Sequence, residues 1–306
     1  MVLWYQGKYE AAENMSRRGL DWRVKVIGEE HLDTLTSASN LAVMLWYQGK
    51  YEAAEELSRQ ALDGREKALG NEHPNTLTSI NNLALVLWSQ GKYKTAERMN
   101  RQALNGREKV LGKSHPDTLA SMNNLALVLQ AQGKYDLAEE MNRQALNWRE
   151  KVLGEEHLDT LTSVSNLAIV LQDRGKYEAA EEMHRQALNG KEKALGKEHP
   201  STLKSISDLA EALQYQEKYE AAEEMYRQAL DGREKALGKE HLDTLTSLNS
   251  LALVLQSQRK YEAAEEMHRQ AMDSCEKALG KEHRDKPTSL NNIALLLVQA
   301  TRRHLG

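Results

Sequence analysis

Apolar and small residues recur along this chain at helical spacing, and the pattern they make is itself repeated. Between His31 and Glu72, Leu35, Ala38, Leu41, Ala42 and Leu45 fall on one face of a first helix. Gly49 interrupts that face, and a second runs through Tyr51, Ala54, Leu57, Ala61, Leu62, Ala68 and Leu69. Gly70 follows, where a left-handed residue would end the helix. The pattern predicts a hairpin of a helix A and a helix B, about 15 and about 19 residues long, or roughly 23 and 28 Å at 1.5 Å per residue. Pro74, Pro116 and Pro200 in the links suit the first helical position, where a missing N–H costs nothing.

The register of the pattern does not slip. Tyr9, Tyr51, Tyr93, Tyr135, Tyr177, Tyr219 and Tyr261 lie 42 residues apart, and His31, His73, His115, His157, His199, His241 and His283 keep the same beat. Six full units follow: 31–72, 73–114, 115–156, 157–198, 199–240 and 241–282. Residues 1–30 hold the end of a helix A and a helix B, and residues 283–306 a degenerate last helix A. A fixed period of this size marks a solenoid in which each unit buries its face against its neighbours, so 1–306 is expected to be one array. Met1 stands where Val43 and Leu85 stand, inside a helix A, so either a piece of a longer array or a reading frame opened at an internal methionine is expected. Ala42, Ala54 and Ala61 recur in nearly every unit, and only a methyl there lets helix backbones approach closely.

Composition narrows the chemistry. Phe is absent, there are 4 Pro, and helix-forming residues dominate, as an all-α chain requires. A net charge of -4, without a basic tract, argues against nucleic acid as a partner. The single Cys275 excludes an internal disulfide and a cysteine-based zinc site, and a reducing, cytoplasmic setting is expected. No apolar run reaches bilayer length and no signal peptide is legible, so no membrane association is expected. Asn14-Met15-Ser16 fits a glycosylation sequon, read here as a chance match.

Asn-Leu-Ala in helix A, Gly-Lys-Tyr at the turn, and a helix B with Ala54 and Ala61 resemble the tetratricopeptide repeat. The usual period of that repeat is about 34 residues; here helix B continues through "REKALG" to make 42. This is similar to the variant of kinesin light chains and of the repeat regions of fungal and bacterial sensor proteins. The resemblance implies a right-handed superhelix of antiparallel helix pairs whose A helices line a concave groove for a peptide or partner protein. Glu217 and Arg259 depart from it by replacing the turn glycine, and those two turns are expected to be reshaped at a cost of roughly 1 kcal/mol.

Candidate site residues come from comparing the copies. Units 157–198 and 241–282 agree at 31 of 42 places, and their differences gather in helix A, around the turn and in a short stretch of helix B. One A-helix column reads Thr36, Thr78, Ala120, Thr162, Lys204, Thr246; the next reads Ser39, Asn81, Asn123, Ser165, Ser207, Asn249. A third reads Asn40, Asn82, Asn124, Asn166, Asp208, Ser250, and a fourth Val43, Leu85, Leu127, Ile169, Glu211, Leu253. In the family resembled these columns face the groove. An Asn ladder can match an extended backbone. Trp46 and Trp88 would add aromatic anchors, and Lys204, Asp208 and Glu211 a charged segment. The competing reading is that Asn and Trp stitch neighbouring hairpins together.

The loop histidines read as helix caps rather than metal ligands. His184 and His268 read as surface residues, and the Glu-Glu and Arg-Glu-Lys runs of helix B as a solvated face. No metal, cofactor or catalytic constellation is expected. The function expected is a non-catalytic interaction scaffold of kinesin light chain type. The alternatives are the sensor repeats of a larger NB-ARC or STAND-type signalling ATPase, or an array that self-associates through uncapped ends.

Overall fold

A computed structural model of the chain describes residues 9–279. Residues 1–8, His283 and the degenerate last helix A at 283–306 lie outside the described residues. Among the described residues there are thirteen α-helices and no strand. α1 (Tyr9–Ile27) is a helix B, and six hairpins follow it. They are α2 (Leu32–Tyr47) with α3 (Tyr51–Leu69), α4 (Pro74–Ser89) with α5 (Tyr93–Leu111), and α6 (Pro116–Ala131) with α7 (Tyr135–Leu153). The rest are α8 (Leu158–Asp173) with α9 (Tyr177–Leu195), α10 (Pro200–Tyr215) with α11 (Tyr219–Leu237), and α12 (Leu242–Ser257) with α13 (Tyr261–Leu279). Each helix A has 16 residues and each helix B has 19.

The ends of the helices follow from the residues placed there. His31, His73, His115, His157, His199 and His241 each accept, through Nδ1, the backbone N–H two residues on, at 3.1–3.2 Å. They cap helix A as Asp or Ser would. Pro74, Pro116 and Pro200 occupy the first turn. Gly70 has φ 84° and ψ 167° rather than a left-handed helical cap, a region essentially open to glycine alone. The hairpin turn is closed by Gly49 N–H to the Trp46 carbonyl and Lys50 N–H to the Leu45 carbonyl, both 2.9 Å. Glu217 and Arg259 make the same bonds at φ 60° and 64°, so the expected reshaping does not occur. Both residues accept the left-handed conformation instead.

The helices form two compact units, residues 1–166 and 167–306. In residues 1–166, consecutive helices pack in chain order, and α2 also touches α4, as α4 touches α6. One core joins Leu41, Leu45 and Ala54 to Val86 of the next hairpin, and another joins Leu62 through Ala84, Leu87 and Ala103 to Val128. In residues 167–306, a core runs from Leu188 through Ile206, Leu213 and Ala229 to Val254 and Ala264. Each apolar face is therefore covered by the neighbouring hairpin, as a solenoid requires. Ala54, Ala96, Ala138, Ala180, Ala222 and Ala264 are fully buried.

The Arg of the "REK" run is a correction to the sequence reading, because it is buried rather than solvated. Arg65, Arg107, Arg149, Lys191 and Arg233 all lie in the interior, where loss of water pushes each pKa down. Arg65 donates to Ser39 (3.2 Å) and Thr36 (3.0 Å) of its own hairpin and to Ser79 (2.6 Å) of the next. Arg107 bonds Thr78 (2.8 Å), Ser121 (2.9 Å) and the Asp117 carbonyl (2.8 Å) in the same way. Arg149 donates to Ser163, Lys191 to Ser205 and Arg233 to Ser247. One buried cation therefore pins each hairpin to its successor through hydroxyls and carbonyls.

Candidate interaction groove

Helix α10 places Lys204, Asp208, Glu211 and Tyr215 at intervals of four, three and four residues, which sets them on one face. That face forms a wall of a cavity of about 860 Å³ in residues 167–306, with α12 as the opposite wall and α11 as the floor. Thr246, Ser250 and Leu253 stand on α12 at the matching positions, and Tyr226 and Arg233 rise from α11. Lys204 Nζ donates to both Asp208 carboxylate oxygens, at 2.7 and 3.0 Å. Glu211 lines the cavity and keeps part of its surface open to solvent. Loss of water first, and the Asp208 charge next, push its carboxyl up. Tyr215 is 53% exposed, and its ring stacks on Tyr177 with centroids 5.7 Å apart and planes 6° apart. The sequence-predicted residues Lys204, Asp208 and Glu211 are thus brought together.

In residues 1–166 the predicted positions divide. Asn40 is exposed, while Asn82, Asn124 and Asn166 are half-buried. Asn81 is 4% exposed and donates its Nδ2 to Ser121 Oγ at 2.7 Å. This corrects its reading as a groove residue, because its amide is committed between hairpins. Asn123 is half-buried with an enclosed, unpartnered Oδ1. Trp46 packs against the Leu41–Ala54 core and donates Nε1 to Ser89 Oγ of the next hairpin at 2.6 Å. Trp88 packs against the Leu77–Val128 core with its Nε1 buried and unpartnered. Both indoles are joined to neighbouring hairpins and are only partly open to solvent.

The family model for the tetratricopeptide repeat matches residues 1–67, 38–109, 78–151, 117–193, 164–235, 201–277 and 243–304. This chain is a tetratricopeptide repeat protein. Its 42-residue hairpins are of the kinesin light chain-like variant. The nearly identical TPR-like repeats of a protein described as a kinesin light chain from Podosopora anserina share 32% identity, with a TM-score of 0.56 over 68% of this chain and 99% of that one. BtubC (BKLC) from P. vanneervenii is 20% identical, with a TM-score of 0.56 over 77% of this chain and 92% of its own. The apo form of RapI is 14% identical, with a TM-score of 0.55 over 88% of this chain and 97% of its own. The last two share the fold alone. No curated protein matches the sequence.

The tetratricopeptide repeats carry a further column that sequence reasoning misread. Ser58, Asn100, Asn142, His184, Tyr226 and His268 lie 42 residues apart on helix B, and all are buried. His184 and His268 are 1% and 0% exposed, which overturns their assignment to the surface. Burial holds the His184 imidazole down at about 4, the Asp208 charge opposes this, and both ring nitrogens are unpartnered. Asn100 Nδ2 donates to the Asn124 carbonyl at 3.2 Å, and Asn142 Nδ2 to the Asn166 carbonyl at 3.3 Å. The signal was present in the copies, for this one position of helix B changes from Ser to Asn, His and Tyr while the Arg and Gln that follow it stay fixed. No group of three or more metal-ligating side chains occurs among the described residues. No described helix is long and apolar enough to cross a membrane.

Proposed function

We propose that this tetratricopeptide repeat protein is a non-catalytic scaffold that holds an extended segment of a partner protein against its A helices. Tetratricopeptide repeats in general mediate protein–protein contacts, and the observation that supports a groove site here is the cavity between α10 and α12. Its volume lies within the range of built ligand sites. Its walls are formed by A-helix positions that differ among the copies, while the residues that stack the hairpins stay fixed. In residues 1–166 the half-buried amides of Asn82, Asn124 and Asn166 would read a peptide backbone, and the partly open indoles of Trp46 and Trp88 would flank it.

The test is binding of peptides selected by the full chain from a displayed library of random decapeptides, read by fluorescence anisotropy. Leu253→Arg, which projects a long cation into the cavity, is expected to abolish binding at that site. Glu262→Arg, on the exposed start of α13, is expected to leave it unchanged. The triple Asn82→Ala, Asn124→Ala, Asn166→Ala variant is expected to weaken peptides held by the first unit more than it lowers the urea midpoint. Peptides that bind equally well to all the variants would show that the A-helix face is not the site.

A further inference from the structure

In α10 alone, three groove positions in succession change character together. Where other copies carry Thr or Ala, it has Lys204; where they carry Asn or Ser, Asp208; where they carry Val, Leu or Ile, Glu211. The charges are not evenly matched. Lys204 is paired with Asp208 at 2.7 Å, and Arg233 below them is bonded to Ser247 and the Asp243 carbonyl. Glu211 is left without an ion-pair partner among the described residues; Asp208 and Asp173 are its neighbours of like sign, and Lys204, already paired with Asp208, opposes them. One turn further on, the ring of Tyr215 is held flat against Tyr177 and remains open to solvent.

An unneutralised carboxylate beside an exposed aromatic face is the combination that holds an ammonium or guanidinium group. We propose that the cavity between α10 and α12 receives a lysine or arginine side chain of the bound partner segment, its charge against Glu211 and its stem across Tyr215. This rests on the groove reading above and names the chemistry of its occupant. An acidic segment would meet Asp208, Glu211 and Asp243 while both local cations are engaged. A wholly apolar segment would strip water from Glu211 and leave it unpaired, which is costly. Loss of water and the Asp208 charge push the carboxyl of Glu211 up, and a cation set against it would push it down.

The peptides enriched from the random decapeptide library on the full chain are resynthesised with each Lys or Arg replaced by Gln. The expected result is one preferred basic position whose replacement weakens binding about fivefold, matched by a similar loss with Glu211→Gln and the parent peptide. Combining the two changes is expected to add little further loss, as for groups in contact. Lys204→Ala frees Asp208 and is expected to tighten binding of the basic peptide. Enriched peptides that are lost with Leu253→Arg but carry no basic residue, or that ignore Glu211→Gln, would overturn this inference and leave the groove reading standing. Peptides indifferent to Leu253→Arg, or no enrichment at all, would overturn both.

Discussion

Glu217 and Arg259 hold positive φ at turns where the other hairpins use glycine, and they keep every backbone bond of those turns. A side chain in that conformation costs about 1 to 2 kcal/mol, offset in part by the lower chain entropy of a non-glycine residue when unfolded. Glu217→Gly and Arg259→Gly are therefore each expected to stabilise the fold by up to about 1 kcal/mol, seen as a higher urea midpoint. A fall in the midpoint would mean that the turns are relaxed as they stand. His184 makes a pH-dependent prediction. Its imidazole titrates at about 4 in the fold and near 6.5 in the unfolded chain, so the unfolded state binds the extra proton between those values. Stability is expected to fall as pH drops from about 6.5 towards 4, by on the order of 2 to 3 kcal/mol in total. His184→Asn, the residue that stands at positions 100 and 142 of this column, should flatten that limb of urea stability against pH. An unchanged limb would place the titration elsewhere.

At the scale of the helix, the sequence disclosed the hairpin because two periods coincide: 3.6 residues along each face and 42 along the chain. Helix B was read at its observed length and helix A one residue short. What was not legible is which polar residues face inward. The guanidinium of Arg107 looks like surface charge in a one-dimensional pattern, and the hydroxyls of Thr78 and Ser121 with the Asp117 carbonyl, brought from two other helices, make its burial tolerable. The same holds for Asn81, whose partner Ser121 is 40 residues away. Two variants test the ladder of cations. Arg107→Met removes three hydrogen bonds and is expected to cost about 1 to 3 kcal/mol. Arg149→Met removes the single bond to Ser163, since Ala120 stands where a Thr faces Arg107, and should cost less. Equal costs would reduce the ladder to mere packing. Ala54, buried between helices, gives the complementary test of steric fit: Ala54→Leu is expected to lose about 1 to 3 kcal/mol by overpacking.

At the scale of the whole molecule, the outer charges also join hairpin to hairpin. In residues 1–166, Glu55 lies between Arg59 of its own helix and Lys92 of the next turn, both at 2.8 Å, and Glu97 lies likewise between Arg101 and Lys134. In residues 167–306, Glu181 bridges Arg185 and Lys218 at 2.8 Å, and Glu223 bridges Arg227 and Lys260. Partial burial pushes these carboxyls up, but hydrogen bonds from Lys, Arg and Gln outweigh it and hold Glu55, Glu97 and Glu181 at about 2. A carboxyl lowered in the fold contributes stability that is present above its unfolded pKa near 4.5 and is lost as pH falls towards 2. Each bridge is solvent-accessible and contributes about 1 kcal/mol or less, so its weight comes from repetition. The triple variant Lys92→Met, Lys134→Met, Lys218→Met should therefore lose about 1 to 3 kcal/mol at pH 7 and little more on acidification below pH 4.5. Raising the salt concentration should shrink the gap between variant and parent. Urea midpoints across this pH range decide the matter. If the two curves run parallel from pH 7 to pH 2, the bridges add nothing to the stacking of the repeats, and the apolar cores with the buried cations carry it alone.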